Sequence, residues 1–144
     1  MDKDMRLTVR SDPRFLGSIR RMLRGWLEAS EISEKTAADV VLAIDEACSN
    51  VIRHAYDGQC DQSLEISLHS EPDQLVFQIS DHGEPGPPEC AEERPLQVPD
   101  LENLQPGGLG VQLIYQVFDE VDFCPGKERG NCITMRLNRK QTEE

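Results

Sequence analysis

The sequence predicts an α+β fold, a two-layer α/β sandwich in which a mostly antiparallel mixed sheet carries its helices on one face. Three observations point there. Several short segments place apolar residues at every second position, as strands with one buried face require. Two longer stretches repeat apolar residues at spacings of three and four, the period of an amphipathic helix. The segments "SLEISLH" and "QLVFQIS" are separated only by "SEPD". That is too short for a crossover helix, so they form an antiparallel hairpin. At 144 residues the chain suffices for one core and is read as a single domain spanning 1–144.

The elements follow in order. In "MRLTVR", Met5, Leu7 and Val9 alternate as a strand until "SDP" breaks the pattern. Asp12 as N-cap and Pro13 at the first helical position start a helix with Phe15, Ile19, Met22, Leu23, Trp26 and Leu27 inward, ending near Ser30. Ser33 caps a second helix running to about Tyr56, with Ala37, Val41, Ile44, Cys48, Val51 and Ala55 as its apolar stripe. After the hairpin, the segment 84–106 is rich in Pro, Gly and acidic residues and lacks apolar periodicity. A stretch of that length within one domain reads as a lid-like loop. A third helix, "LGVQLIYQVFDEV", turns Leu109, Leu113, Val117, Ile114 and Phe118 inward, and "EVDFC" and "NCITMRLN" close the fold as strands.

Composition narrows the function classes. The net charge of -12 argues against direct binding to nucleic acid, whose affinity rests on clustered Lys and Arg. Acid is concentrated late: residues 1–56 hold nine basic and nine acidic side chains, the remainder six and eighteen. An apolar run of about 20 residues, needed to span a membrane, is absent, and "MDKDMRLTVR" is unlike a signal peptide. A cytoplasmic protein without membrane contact is expected. Five cysteines with no C-x-x-C pair suggest reduced thiols rather than disulfides or zinc.

Three motifs could carry chemistry. Glu46, Asn50, Arg53 and His54 fall within about 100° on the second helix, nearly opposite its apolar stripe. A carboxamide oxygen is a good Mg²⁺ ligand beside phosphate and water, and a carboxylate one turn away can accept a proton from an attacking hydroxyl. A solvated polar face would look the same, and His54 is read as structural. Asp81, just past an apolar strand, could accept a hydrogen bond from an exocyclic amine, while Gly83 lets backbone approach a flat ring. An ordinary Asp-Gly turn is the other reading. Gly107, Gly108 and Gly110 open a helix whose N–H groups could hold phosphate, or form a hinge.

In this order, the motifs resemble the GHKL ATPases, and within them the anti-sigma factor serine-protein kinases of the RsbW and SpoIIAB type. The likeness runs from Leu7 to Leu137 through "EACSNVIRHAY", "DHGEP", "GGLGVQLIYQVFDEV" and "GNCITM". It implies a histidine-kinase-like ATP-binding fold using ATP and Mg²⁺. It also implies Glu46 as catalytic base, Asn50 as Mg²⁺ ligand, and Asp81 with Gly83 for adenine. Gly107, Gly108, Leu109 and Gly110 fall on the phosphate side, Arg53 at a phosphate-contact position, and Arg20 on the first helix at a partner contact. The chain departs from the family at "EPGPP", where a second glycine or a Pro-Phe pair is common, and at Asn131, where threonine is common. The lid has no Lys and a single Arg, Arg94.

By this resemblance the chain is an ATP-dependent kinase that sequesters a sigma factor or similar client. It would phosphorylate a serine of a STAS-type anti-anti-sigma antagonist. The alternative is an ATP-binding interaction module without kinase activity, which would need the same residues except Glu46. A histidine-kinase catalytic domain ranks lower, since the first fifty residues contain no histidine. Both monomer and homodimer remain open.

Overall fold

Alternation along each strand becomes two unlike faces of one sheet. The computed structural model describes residues 4–56, 59–83, 108–125 and 130–139. The lid-like segment 84–106 and Gly107 lie outside them. The strands are β1 (Met5–Arg10), β2 (Ser63–Ser70), β3 (Gln74–Asp81), β4 (Glu120–Pro125) and β5 (Asn131–Asn138). They lie in the order β1-β2-β3-β5-β4, and among the described residues every pairing is antiparallel, so this sheet is antiparallel and not mixed.

Register aligns the sequence's two periodic sets across all five strands. Leu7, Ile66, Ile79, Ile133 and Phe123 form one apolar row. Arg6, Ser67, Gln78, Thr134 and Asp122 form the neighbouring polar row. A slip of one residue would exchange these faces, so burial of the apolar row fixes the pairing.

Helices α1 (Leu16–Ala29), α2 (Glu34–Asn50) and α3 (Gly108–Val117) cover the apolar face. Trp26 of α1 meets Phe77 edge-on at 5.6 Å between ring centroids, and Phe77 meets Phe118 at 5.4 Å. The expected caps are present. Asp12 Oδ1 accepts from the N–H of Arg14, and Ser33 Oγ accepts from that of Thr36. Pro13–Phe15 forms a 3₁₀ turn ahead of α1. Ile114 of α3 and Phe118 just after it are buried, with Leu113 and Val117 half-buried against the core, while the side chain of Leu109 lies outside the described ones.

Two differences from the sequence expectation have physical causes. The buried arc of α2 is wider than one stripe, adding Val40, Ala43 and Ala47, because α2 packs against both α1 and α3. The helix also does not continue as α to Tyr56. It widens into a π turn at Val51–Ala55, where the N–H of Tyr56 donates to the carbonyl of Val51. A π turn takes more residues per revolution, which brings Ile52 and Tyr56 into the core and leaves Val51 half-buried. Among the described residues no helix is long and apolar enough to cross a membrane.

Candidate active site

The expected site residues fall into two groups of side chains, one on α2 and the π turn that follows it, the other at the ends of β3 and β5. The first is local to one helix. Glu46 and Asn50 are one turn apart on the outer side of α2, and Arg53 follows on the π turn. Arg53 Nη2 donates to Asn50 Oδ1 at 2.6 Å and lies 3.9 Å from Glu46 Oε2. The three share one patch, as helical spacing required. His54, expected to pack or bond, is instead exposed beside them.

The second group is built by the sheet. Leu75, Phe77 and Ile79 face the helices, and with a period of two Asp81 continues the same row. Its register partners are Leu64 on one side and Asn131 on the other. Asp81 is therefore a carboxylate at the end of a core-facing row, and it is 5% exposed. Burial of a carboxylate requires hydrogen bonds. Oδ1 accepts two, from the N–H of Gly83 at 2.9 Å and from Asn131 Nδ2 at 3.0 Å. With both on one oxygen, Oδ2 is the atom with capacity to accept from a ligand amine.

Gly130 locks this corner. Its N–H donates to the carbonyl of Gly83 at 2.8 Å, and its φ is 90°. A Cβ there would lie 2.9 Å from the Asp81 carbonyl oxygen. Both the conformation and the approach therefore call for glycine. Neither Gly130 nor Asn131 was among the site residues expected from sequence. Asn131 stood out only as a replacement for threonine within "GNCITM".

The remaining expected residues are distributed as follows. Gly108, Leu109 and Gly110 form the first turn of α3, whose N–H groups have no helical acceptor. Arg20 is on α1 and donates from Nη1 to Asp45 Oδ1 at 2.7 Å, so it joins the residue next to Glu46 rather than the site itself. A polar cavity of about 310 Å³ lies at the other end of the sheet, lined by Asp73, Gln74, Asp119, Glu120, Arg136 and Asn138, and includes none of the site residues. Cys48, fully buried behind the polar patch, has its thiol pushed up to about 12, mainly by burial and then by the Asp45 carboxylate. It is inert as a nucleophile.

Fold and motif order together define a histidine kinase-like ATPase domain. A family model of that description matches residues 9–137, and the chain belongs to that family. Among its relatives is the serine-protein kinase RsbW of Listeria innocua, 28% identical over 154 residues that cover 100% of this chain and 94% of that protein. The RsbW resemblance carried by the motifs thus extends along the whole chain.

Solved structures agree on the fold. The SiaB-SiaC complex from Pseudomonas aeruginosa superposes with a TM-score of 0.68 at 14% identity, covering 94% of this chain and 89% of the matched one. The RsbU and RsbW domains of a Mycobacterium tuberculosis protein superpose with a TM-score of 0.61 at 17% identity. That match covers 92% of this chain and 32% of the longer one.

Proposed function

We propose that this chain is an ATP-dependent anti-sigma factor and serine-protein kinase in a partner-switching pathway. The observation that carries the reading is the retention of Glu46 beside Asn50 on the outer side of α2. A module that only bound ATP would need Asn50 and Asp81 but no carboxylate one turn earlier.

In this reading, Asp81 Oδ2 accepts from the amine of adenine while Gly83 lets the ring lie against backbone. Gly107, Gly108, Leu109 and Gly110 direct N–H groups at the phosphates. Asn50 Oδ1 already faces a cationic nitrogen at 2.6 Å, with a carboxylate oxygen close to the same nitrogen. A carboxamide oxygen that accommodates positive charge suits Mg²⁺, which completes its shell with phosphate and water. That ion would offset charge on the triphosphate. Arg53 adds positive charge on the phosphate side.

Glu46 takes the proton of a substrate serine as that oxygen bonds to the γ-phosphorus. The bond from phosphorus to the β–γ bridging oxygen breaks, and ADP leaves. Positioning and charge stabilisation supply most of such a reaction. A general base contributes about 10²- to 10⁴-fold.

The partners are a sigma factor or equivalent client, held inactive, and a STAS-type anti-anti-sigma antagonist that receives the phosphate. Arg20, anchored by Asp45, belongs to the surface they contact. Incubation of the protein with Mg²⁺-ATP and its antagonist should add one phosphate by mass, and Glu46→Gln should abolish the transfer. An antagonist left unmodified under saturating ATP would remove the kinase assignment and leave the nucleotide-binding module.

A further inference from the structure

The helix-borne and strand-borne halves of the site are joined through one buried hydroxyl. Tyr56 follows the π turn directly and is 4% exposed. Its hydroxyl donates to the carbonyl of Ser63, the first residue of β2, at 2.6 Å. It accepts from the backbone N–H of His82 at 2.7 Å. His82 lies between Asp81 and Gly83, so this bond grips the peptide corner from which Asp81 points. Besides the pairing of Asp81 with Leu64 of β2, the corner is restrained from the β5 side, through Asn131 and the preceding Gly130. Tyr56 alone ties it to the helix that carries Glu46 and Asn50, among the bonds described at this corner.

We propose that Tyr56 is a positioning residue for base recognition: its hydroxyl sets the direction of the Asp81 carboxylate relative to α2, and thereby tightens selection of adenine over guanine. The inference rests on the nucleotide site proposed above. Hydrogen bonds weaken steeply with misalignment, and Asp81 Oδ1 is already committed. Rotation of the 81–83 corner therefore misdirects the one oxygen left for an amine. Guanine offers a carbonyl where adenine offers that amine, so a loosened corner costs ATP more than GTP. The phenol is suited to the task because it donates and accepts at once from a rigid ring.

The test is Tyr56→Phe, which keeps the ring and removes the hydroxyl. Calorimetric titration of wild type and variant with ATP and with GTP gives two affinities for each. ATP binding should weaken about three- to tenfold, the scale of one lost hydrogen bond, and the ATP-to-GTP preference should narrow. A ratio equal to that of wild type, with only a lower melting temperature, would reduce Tyr56 to a packing residue and overturn the proposal alone. Wild type that binds neither nucleotide overturns the site reading together with it. A measurement independent of the variant is amide exchange in the nucleotide-free wild type. The His82 N–H should exchange slowly, and exchange at the rate of a free loop overturns the proposal even if Tyr56→Phe does not fold.

Discussion

Arg53 Nη2 lies 2.6 Å from Asn50 Oδ1 and 3.9 Å from Glu46 Oε2, so a guanidinium already occupies the position where the proposed metal ligand and base converge. Mg²⁺ bound at Asn50 must displace it. Arg53→Ala should therefore lower the Mg²⁺ concentration that half-saturates ATP binding. The pair is partly exposed, with side chains 41% and 33% accessible for Arg53 and Glu46. Such contacts are worth less than about 1 kcal/mol, so the shift should be roughly two- to fivefold. Titration of Mg²⁺ at fixed ATP reads it directly. A raised requirement would mean that the contact of Arg53 with the phosphates outweighs its competition with the metal at Asn50.

Asp81→Asn tests the base-recognition half without dismantling it. An asparagine oxygen can still accept from Gly83 and Asn131, so the corner keeps its restraints. The second position becomes an NH₂ group, which opposes the amine of adenine. ATP affinity should fall at least about tenfold, since a buried donor is left facing a donor. The urea midpoint should move little. Retained ATP affinity in the variant would place adenine elsewhere.

The helix half of this site was legible in the sequence because it is local. Residues one turn apart share a face whatever the rest of the fold does, and Glu46, Asn50 and Arg53 needed only the period of a helix. The caps at Asp12 and Ser33 and the hairpin at 70–74 were legible for the same reason. The strand half was only partly so. Alternation placed Asp81 after an apolar row, but its partner Asn131 is fifty positions away, and the β3–β5 register that joins them is a property of the packed sheet. The π turn was equally hidden. Apolar residues at 48, 51, 52, 55 and 56 satisfy an α or a π continuation, and the choice is made by burial of Ile52 and Tyr56.

Gly130 should be intolerant of a side chain. At φ 90° an alanine is strained, and its Cβ would approach the Asp81 carbonyl oxygen at 2.9 Å. Conformational strain and the forced shift together should cost about 2–3 kcal/mol, measured by urea denaturation. Because the atom displaced belongs to Asp81, ATP affinity should also fall, beyond the loss seen in a control variant of equal instability. Leu42→Ala, on the exposed side of α2, should by contrast leave stability within about 0.5 kcal/mol.

Cys48 gives the fold an alkaline limit. Its thiol is raised from 9.0 to about 12 in the folded chain, chiefly by burial and secondarily by Asp45. Between those values the unfolded chain releases a proton that the folded chain keeps, so the folded state binds more protons and stability must fall as pH rises. Below pH 9 this contribution to stability is fully present. At pH 10 roughly 1.4 kcal/mol of it should be gone. Lysine and tyrosine titrate in the same range, so the informative quantity is the difference in slope between wild type and Cys48→Ala. Denaturation at pH 8 and pH 10 should show a shallower decline in the variant, even though the lost sulfur lowers its absolute stability. Equal slopes would mean that Cys48 ionises as readily folded as unfolded, contrary to its complete burial on the core side of α2.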